Sequence, residues 1–87
     1  MIFGLVNRVT TRASLLQEAN ALAAALSQGA PLAMAAIIDC VARGLQTTLA
    51  DGIQIESAHA LELGESEDAM VGVLSYIQKQ APQFKGR

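Results

Sequence analysis

The sequence predicts an all-α domain of about four short helices. Hydrophobic residues make up 52% of the chain but aromatic residues only 3%, so the apolar content is mainly alanine, leucine and other aliphatic residues, and the first two favour helices. Apolar residues recur at helical spacing in four stretches, which glycine, serine, threonine or proline separate. A chain of 87 residues is long enough for one domain. We therefore predict a single helical domain over residues 1–87.

Residues 1–9 are predicted to precede the helices as a short strand or an extended arm. They are rich in apolar and β-branched residues, and Gly4 and Asn7 disfavour a helix there. Thr10, Thr11 or Ser14 can cap the first helix. Its apolar positions are 15, 16, 19, 22, 23 and 26, and residues 27–29 are expected to end it.

Proline, threonine and glycine mark the limits of the second and third helices. Pro31 suits the first turn of the second helix, which we expect to end at Arg43 and Gly44. Thr48 is the predicted N-cap of the third helix, and Gly64 its terminator.

The fourth helix has the clearest start. The Ser66 hydroxyl can accept a free backbone N–H, and the carboxylates of Glu67 and Asp68 lie at the positive end of the helix dipole. We expect these carboxylates, together with that of Glu65, to be exposed to water. Lys79 is expected in the last turn, with Pro82 ending the helix before a tail at residues 82–87.

Charge and cysteine content narrow the possible partners and the compartment. The net charge is −2 and the pI about 5.1, and no basic run is present, which disfavours a nucleic-acid partner. The longest apolar stretches have about half of the ~20 residues that cross a bilayer, so we expect no membrane segment. Cys40 is the single cysteine. It excludes an internal disulfide, and we expect a cytoplasmic protein.

No residue pattern predicts a catalytic centre or a cofactor. His59 is the only histidine, and a metal site would require it to act with Glu56, Glu62 or Glu65. Carboxylates at this density more often solvate the outer face of a helix, and we favour that interpretation. Cys40 lies in an apolar run, where a buried packing role is favoured over a nucleophile. The predicted catalytic and metal-ligand sets are therefore empty.

Two further features remain open at this point. Gly72 lies inside the fourth helix, where glycine is unfavourable, so it indicates the close approach of a second helix or of a ligand, and we favour helix packing. A basic C-terminal corner could hold an anionic ligand, although basic tails are usually only solvated. The corner comprises Lys79, Lys85 and Arg87, with Tyr76 and Phe84 nearby.

Several segments resemble the C-terminal third of the enoyl-CoA hydratase/isomerase (crotonase) family. The matching segments are GLVNRV at residues 4–9, SEDAMVG at 66–72 and PQFKGR at 82–87. Residues 30–33 and 52–56 fit the family pattern between them, in order and spacing. The resemblance covers nearly the whole chain, so it implies the helical cap that follows the catalytic core of the family.

The resemblance implies a chain without its own active site. A full family member is about three times as long, and a spiral of β-turns outside this segment supplies the oxyanion hole and the acid–base residues. The helical cap contributes oligomer contacts and one wall of the acyl-CoA pocket. The family also implies a setting in fatty acid metabolism.

One site residue follows from the resemblance. Lys79 occupies the position where many family members place a lysine near the CoA phosphates, while Gln80 and Ala81 replace the basic residues that usually follow. Ala60 replaces a large apolar residue of the acyl pocket. We therefore expect weak CoA or acyl-CoA binding at best.

Three hypotheses for function remain, and the least favoured is an anion- or CoA-binding module that uses Lys79, Lys85 and Arg87. The favoured one is a non-catalytic helical and oligomerisation portion, a homo-oligomer through its apolar helix faces. The alternative is a fragment or subunit that completes an acyl-CoA hydratase/isomerase site with a partner carrying the spiral core.

Overall fold

The computed structural model describes residues 3–87 and contains four α-helices. Met1 and Ile2, the first residues of the predicted arm, lie outside the described residues. The helices are α1 (Leu15–Ser27), α2 (Pro31–Gly44), α3 (Leu49–Gly64) and α4 (Glu67–Gln78). The predicted all-α class and all four helices are confirmed. Residues 3–14 form bends and a turn but no strand, so of the two predicted alternatives for the N-terminus only an irregular arm is observed in this part.

Side-chain caps fix the starts of α3 and α4 as predicted. The Thr48 hydroxyl accepts the Asp51 N–H at 3.2 Å, and the Ser66 hydroxyl accepts the Ala69 N–H at 3.1 Å. Ser14 precedes α1 but makes no such bond. Its hydroxyl lies 2.8 Å from that of Thr11 instead. Of the three predicted caps, Thr11 accepts the Ser14 N–H with its hydroxyl at 3.2 Å and caps the turn that leads into α1.

Helices α2 and α3 form the most extensive contact between helices. Near the loop that joins them, a Cβ built on Gly52 would lie 3.7 Å from the Gly44 Cα, so the two backbones approach closely there. Helix α4 packs on α3 over a smaller area, and α1 makes no comparable contact with the other three. The axes of α1 and α2 differ by 108°.

The chain forms an open slab rather than a closed globule. Its extents are 44 × 38 × 19 Å and its radius of gyration is 16.4 Å, against about 12 Å for a compact domain of this length. It exposes 7423 Å², whereas a compact monomer of this mass exposes about 4,900 Å². Among residues 3–87, Ala36 is the only buried hydrophobic residue. The helices therefore present their apolar faces without closing a core.

None of the four helices described is long and apolar enough to cross a membrane alone. Only α1 and α2 taken together, bent by 108°, reach the length and composition of a span.

Candidate functional site

Lys79 terminates α4 in a left-handed conformation. Its φ and ψ are 56° and 41°. The Gln80 N–H donates to the Ser75 carbonyl at 2.9 Å, and the Lys79 N–H donates to the Tyr76 carbonyl at 3.2 Å, which together form a Schellman motif. The expectation that Lys79 lies in the last turn and that Pro82 ends the helix is therefore wrong. The left-handed turn ends the helix at Gln78 rather than directly before Pro82.

A lysine is an unfavourable choice for this position. The left-handed region favours glycine, and another L-residue there costs roughly 1–2 kcal/mol. Lys79 is the one non-glycine residue with positive φ among residues 3–87. Its side chain is exposed, and none of the ion pairs described in this part of the chain involves it. The ammonium group is thus presented to solvent from a rigid turn.

The other residues of the basic corner have separate roles. Arg87 Nε donates to Glu67 Oε2 at 3.0 Å, so a carboxylate already pairs with this cation. Phe84 packs over Gly72, where an added Cβ would lie 3.7 Å from Phe84 Cε1. The close approach at Gly72 is therefore made by the C-terminal tail and not by the predicted second helix, and it is at ordinary van der Waals distance.

Asp68 holds the C-terminal tail against α4. Its carboxylate accepts the Lys85 N–H at 2.8 Å and the Gly86 N–H at 2.7 Å, one on each oxygen. Its own N–H donates to the Arg87 carbonyl at 2.8 Å. Asp68 is only 3% exposed, so the expectation that water surrounds this carboxylate is wrong. The tail folds back over the helix start and replaces the water.

A glycine lets the tail present two successive N–H groups to one carboxylate. Gly86 has φ 79°, in the left-handed region, and a Cβ on it would lie 3.5 Å from Pro31 Cγ. The tail thereby connects the first turn of α4 with the first turn of α2. We refer to Asp68 and residues 84–87 as the tail clasp.

A second polar cluster joins α2 to α3. His59 Nε2 donates to Asp39 Oδ2 at 2.7 Å, and Arg43 Nη1 donates to the same oxygen at 2.9 Å. These hydrogen bonds, first that from His59 and then that from Arg43, lower the pKa of Asp39. His59 is thus engaged with a carboxylate that the sequence analysis did not single out.

His59 contacts Asp39 rather than one of its predicted carboxylate partners. Glu56 and His59 both line one groove, and Glu62 and His59 both line a neighbouring pocket. Within residues 3–87, no three histidine, cysteine, aspartate or glutamate side chains lie close enough together to hold a metal ion.

An apolar groove runs between α2 and α3 beside this cluster. Its volume is about 370 Å³. Four of its nine lining residues have small side chains, and Cys40 among them is half-buried. The lining residues are Ala33, Ala36, Ile37, Cys40, Val41, Glu56, His59, Ala60 and Leu63. Ala60, where the resemblance places a large side chain, thus opens onto this groove.

Sequence patterns predict only part of this geometry. Asp39 and Arg43 are four residues apart on one helix, a spacing that predicts their ion pair. The bond from His59 to Asp39 spans 20 residues, and the bonds from the tail to Asp68 span 17 and 18. Spacing gives no signal for contacts of that kind.

Comparison with known proteins identifies the family. The enoyl-CoA hydratase/isomerase family profile matches residues 2–87. The chain belongs to the enoyl-CoA hydratase/isomerase family. It is 30% identical over 89 residues to the carnitinyl-CoA dehydratase of Proteus mirabilis, covering 98% of this chain and 34% of that protein. It is 36% identical over 84 residues to a probable enoyl-CoA hydratase of Mycobacterium leprae, covering 97% of this chain and 33% of that protein.

Solved structures of the family share the fold of this segment. An enoyl-CoA hydratase subunit I of Geobacillus kaustophilus superposes with a TM-score of 0.90 at 33% identity, covering 97% of this chain and 33% of that one. The Bacillus anthracis enoyl-CoA hydratase gives 0.93 at 24% identity, with coverages of 99% and 33%, and shows the fold alone. The chain thus spans about a third of the length of its relatives and corresponds to the C-terminal segment of the family.

Proposed function

We propose that this chain is the non-catalytic helical portion of an enoyl-CoA hydratase/isomerase-type protein and that it acts by binding other protein through its apolar faces, first of all a second copy. The observation that carries this proposal is the exposure of large apolar side chains on every helix. Leu15, Leu22 and Leu26 on α1 are 55%, 49% and 53% exposed. Met70 and Ile77 on α4 are 62% and 68% exposed.

The excess surface is of the size that a permanent interface covers. The chain exposes 7423 Å², roughly 2,500 Å² more than a compact monomer of its mass. Stable interfaces remove about 800 Å² per partner, and obligate homodimers more. Contiguous apolar patches larger than a few hundred Å² are rarely left uncovered on a monomer.

The polar groups described in residues 3–87 support a non-catalytic role. Among residues 3–87, the carboxylates of Asp39, Asp51, Glu67 and Asp68 accept hydrogen bonds from other groups of the chain, and those of Asp39 and Asp68 accept two each. The family resemblance assigns the oxyanion hole to the part of a full-length family member that precedes this segment. Stabilisation of the oxyanion is usually the largest catalytic contribution, so a segment without those donors has no substitute for it.

Light scattering after size exclusion and a hydration assay test this proposal together. At tens of micromolar we expect a mass at least twice 9.1 kDa and no hydration of crotonyl-CoA above background. A folded species at the monomer mass would contradict the self-association, and turnover that persists through stringent purification would contradict the non-catalytic role.

The lone Cys40 and the family setting support a reducing, cytoplasmic location.

A second candidate function is supported by Lys79. In this alternative, the chain is a fragment or subunit that completes an acyl-CoA site with a partner carrying the spiral core. A lysine kept in a left-handed turn, at a position that glycine would stabilise, indicates a use for its ammonium group. A CoA phosphate is the ligand that the family resemblance suggests.

A reconstitution experiment tests the alternative. The Geobacillus kaustophilus hydratase, deleted for its matching third, would be co-expressed with this chain, and hydration of crotonyl-CoA measured. The alternative predicts recovered activity and a KM that rises up to about fivefold in both Lys79→Gly and Lys79→Asn, since an exposed ionic contact contributes little. Gln78→Ala is the matched control. No recovery, or an unchanged KM in both lysine variants, would contradict it.

A further inference from the structure

We propose that Asp68 positions Lys79 through the C-terminal tail, although the two residues lie at opposite ends of α4. Residues 80–83, which we call the strap, connect the left-handed turn at Lys79 to the tail clasp at Asp68. The positioning role rests on the second candidate function, in which the Lys79 ammonium contacts a CoA phosphate, and it adds a residue to that contact.

Alternate residues of the tail face the helices. Pro82, Phe84 and Gly86 are half-buried, whereas the residues before and after each of them are exposed. A period of two is that of an extended chain with one face against the protein. Pro82 also restricts Ala81 to extended conformations. The tail therefore continues from the end of α4 as an extended segment.

The strap has little slack. From Asp68 to Lys79, α4 rises by about 17 Å. The tail covers a comparable distance between Lys79 and Lys85, whose N–H donates to the Asp68 carboxylate at 2.8 Å. That part of the tail spans at most about 20–22 Å when fully extended, and the contact of Phe84 with Gly72 holds it at an intermediate point. A tail of this length with both ends fixed allows few other conformations at Lys79.

The turn at Lys79 is the reversal that such a tail requires. Its left-handed backbone directs the chain back toward the start of α4, and the Gln80 N–H donates to the Ser75 carbonyl at 2.9 Å. A strained conformation persists only where the surrounding structure fixes it. Here the carboxylate of Asp68, 3% exposed and bonded to two backbone N–H groups, fixes the far end of the strap.

Asp68 is therefore a positioning residue that acts without touching a ligand. With the clasp closed, the exposed Lys79 side chain projects from one backbone conformation. With the clasp open, the turn is free to leave the left-handed region, and a phosphate bound to the ammonium has to restrict the additional conformations. Ordering of that kind lowers affinity, so ligand contact at Lys79 is coupled to the clasp.

Amide hydrogen exchange followed by NMR tests the strap in the chain alone. The measured quantity is the exchange rate of the Gln80 N–H divided by that of the Leu74 N–H in the middle of α4, because this ratio separates opening of the turn from unfolding of the whole chain. Asp68→Asn is expected to raise the ratio at least fivefold. Glu67→Gln is the matched control, since its exposed ion pair with Arg87 is separate from the backbone bonds of the clasp.

A longer strap provides a second variant that leaves Asp68 in place. Two glycines inserted between Pro82 and Gln83 add about 7 Å of chain and should raise the exchange ratio at least threefold. Gln83→Gly, which adds flexibility but no length, should change the ratio less than twofold. An unchanged ratio in either Asp68→Asn or the lengthened chain, or an equal rise in Glu67→Gln, would overturn the positioning role.

The KM of the reconstituted hydratase tests the ligand contact. Asp68→Asn should raise the KM for crotonyl-CoA about two- to fivefold with kcat unchanged, as Lys79→Asn should, and the double variant should raise it no further. The KM for crotonyl-pantetheine, which lacks the CoA phosphates, should stay unchanged, whereas a merely structural loss would affect both substrates.

The outcomes separate the positioning role from the function on which it rests. Recovered activity with a KM for crotonyl-CoA that Asp68→Asn leaves unchanged would overturn the positioning role alone. A hydratase that recovers no activity would contradict the second candidate function and the phosphate contact with it, while the exchange ratio would still decide whether the strap holds Lys79.

Discussion

Replacement of Asp68 by alanine is expected to release the C-terminal tail from α4. The carboxylate is 3% exposed and accepts two backbone N–H groups at 2.8 and 2.7 Å. A hydrogen bond to a charged group contributes about 1.5–3 kcal/mol. The released N–H groups regain water, so we expect a net loss of about 2–4 kcal/mol from the free energy of unfolding rather than the full sum.

The measurement is urea unfolding followed by circular dichroism at one fixed protein concentration, because association contributes to the measured stability. Glu67→Gln is the matched control on the same helix turn. Its ion pair with Arg87 joins side chains that are 66% and 67% exposed, so we expect less than about 1 kcal/mol.

A truncation of residues 85–87 completes a double-mutant cycle. If Asp68 acts by holding the tail, Asp68→Ala should cost less than about 1 kcal/mol in the truncated chain. An equal loss in the full and truncated chains would refute the clasp and would assign the effect to the helix start alone.

Substitutions at three other positions test the structure independently. Gly72→Ala should raise the free energy of unfolding by about 0.5–1 kcal/mol, because alanine favours helix and its Cβ would meet Phe84 at 3.7 Å. A lower free energy of unfolding in urea would contradict this and would mean that the tail packs too tightly to accept the Cβ. Lys79→Gly should raise the free energy of unfolding by about 1 kcal/mol, because glycine adopts the left-handed conformation without strain. Lys79→Ala should change the free energy of unfolding little, and equal effects of the two substitutions in the same assay would contradict this explanation. The lowered pKa of Asp39 stabilises the fold above the ordinary value of 3.8, and that contribution should disappear as the pH falls through the lowered pKa. Urea midpoints recorded from pH 6 to pH 2 should show a fall that Asp39→Asn reduces, and an identical fall in both proteins would refute the contribution.

The sequence predicted the helices because the relevant signals are local. Thr48 and Ser66 cap α3 and α4 through bonds to residues three positions later, and Pro31 starts α2 as expected. Such contacts depend on a few neighbouring residues, which a single sequence displays. The end of α4 was misplaced because Lys79 adopts a conformation that residue propensity assigns to glycine.

The side-chain sites required the tertiary structure. The sequence marks Asp68 as one of several acids at a helix start, and the folded tail alone makes it the buried member while Glu67 stays exposed. It marks His59 as an isolated histidine, and the packing of α2 on α3 alone gives it Asp39 as a partner.

The sequence by itself thus determined the helical class, three of the four helix ends and the family segment, since each depends on local pattern or on residue order. The tertiary structure decided which acids are buried, which residue His59 contacts and which apolar faces lack a partner. These properties depend on how elements far apart in the chain meet, and periodicity in one helix carries no information about the helix or tail that packs against it.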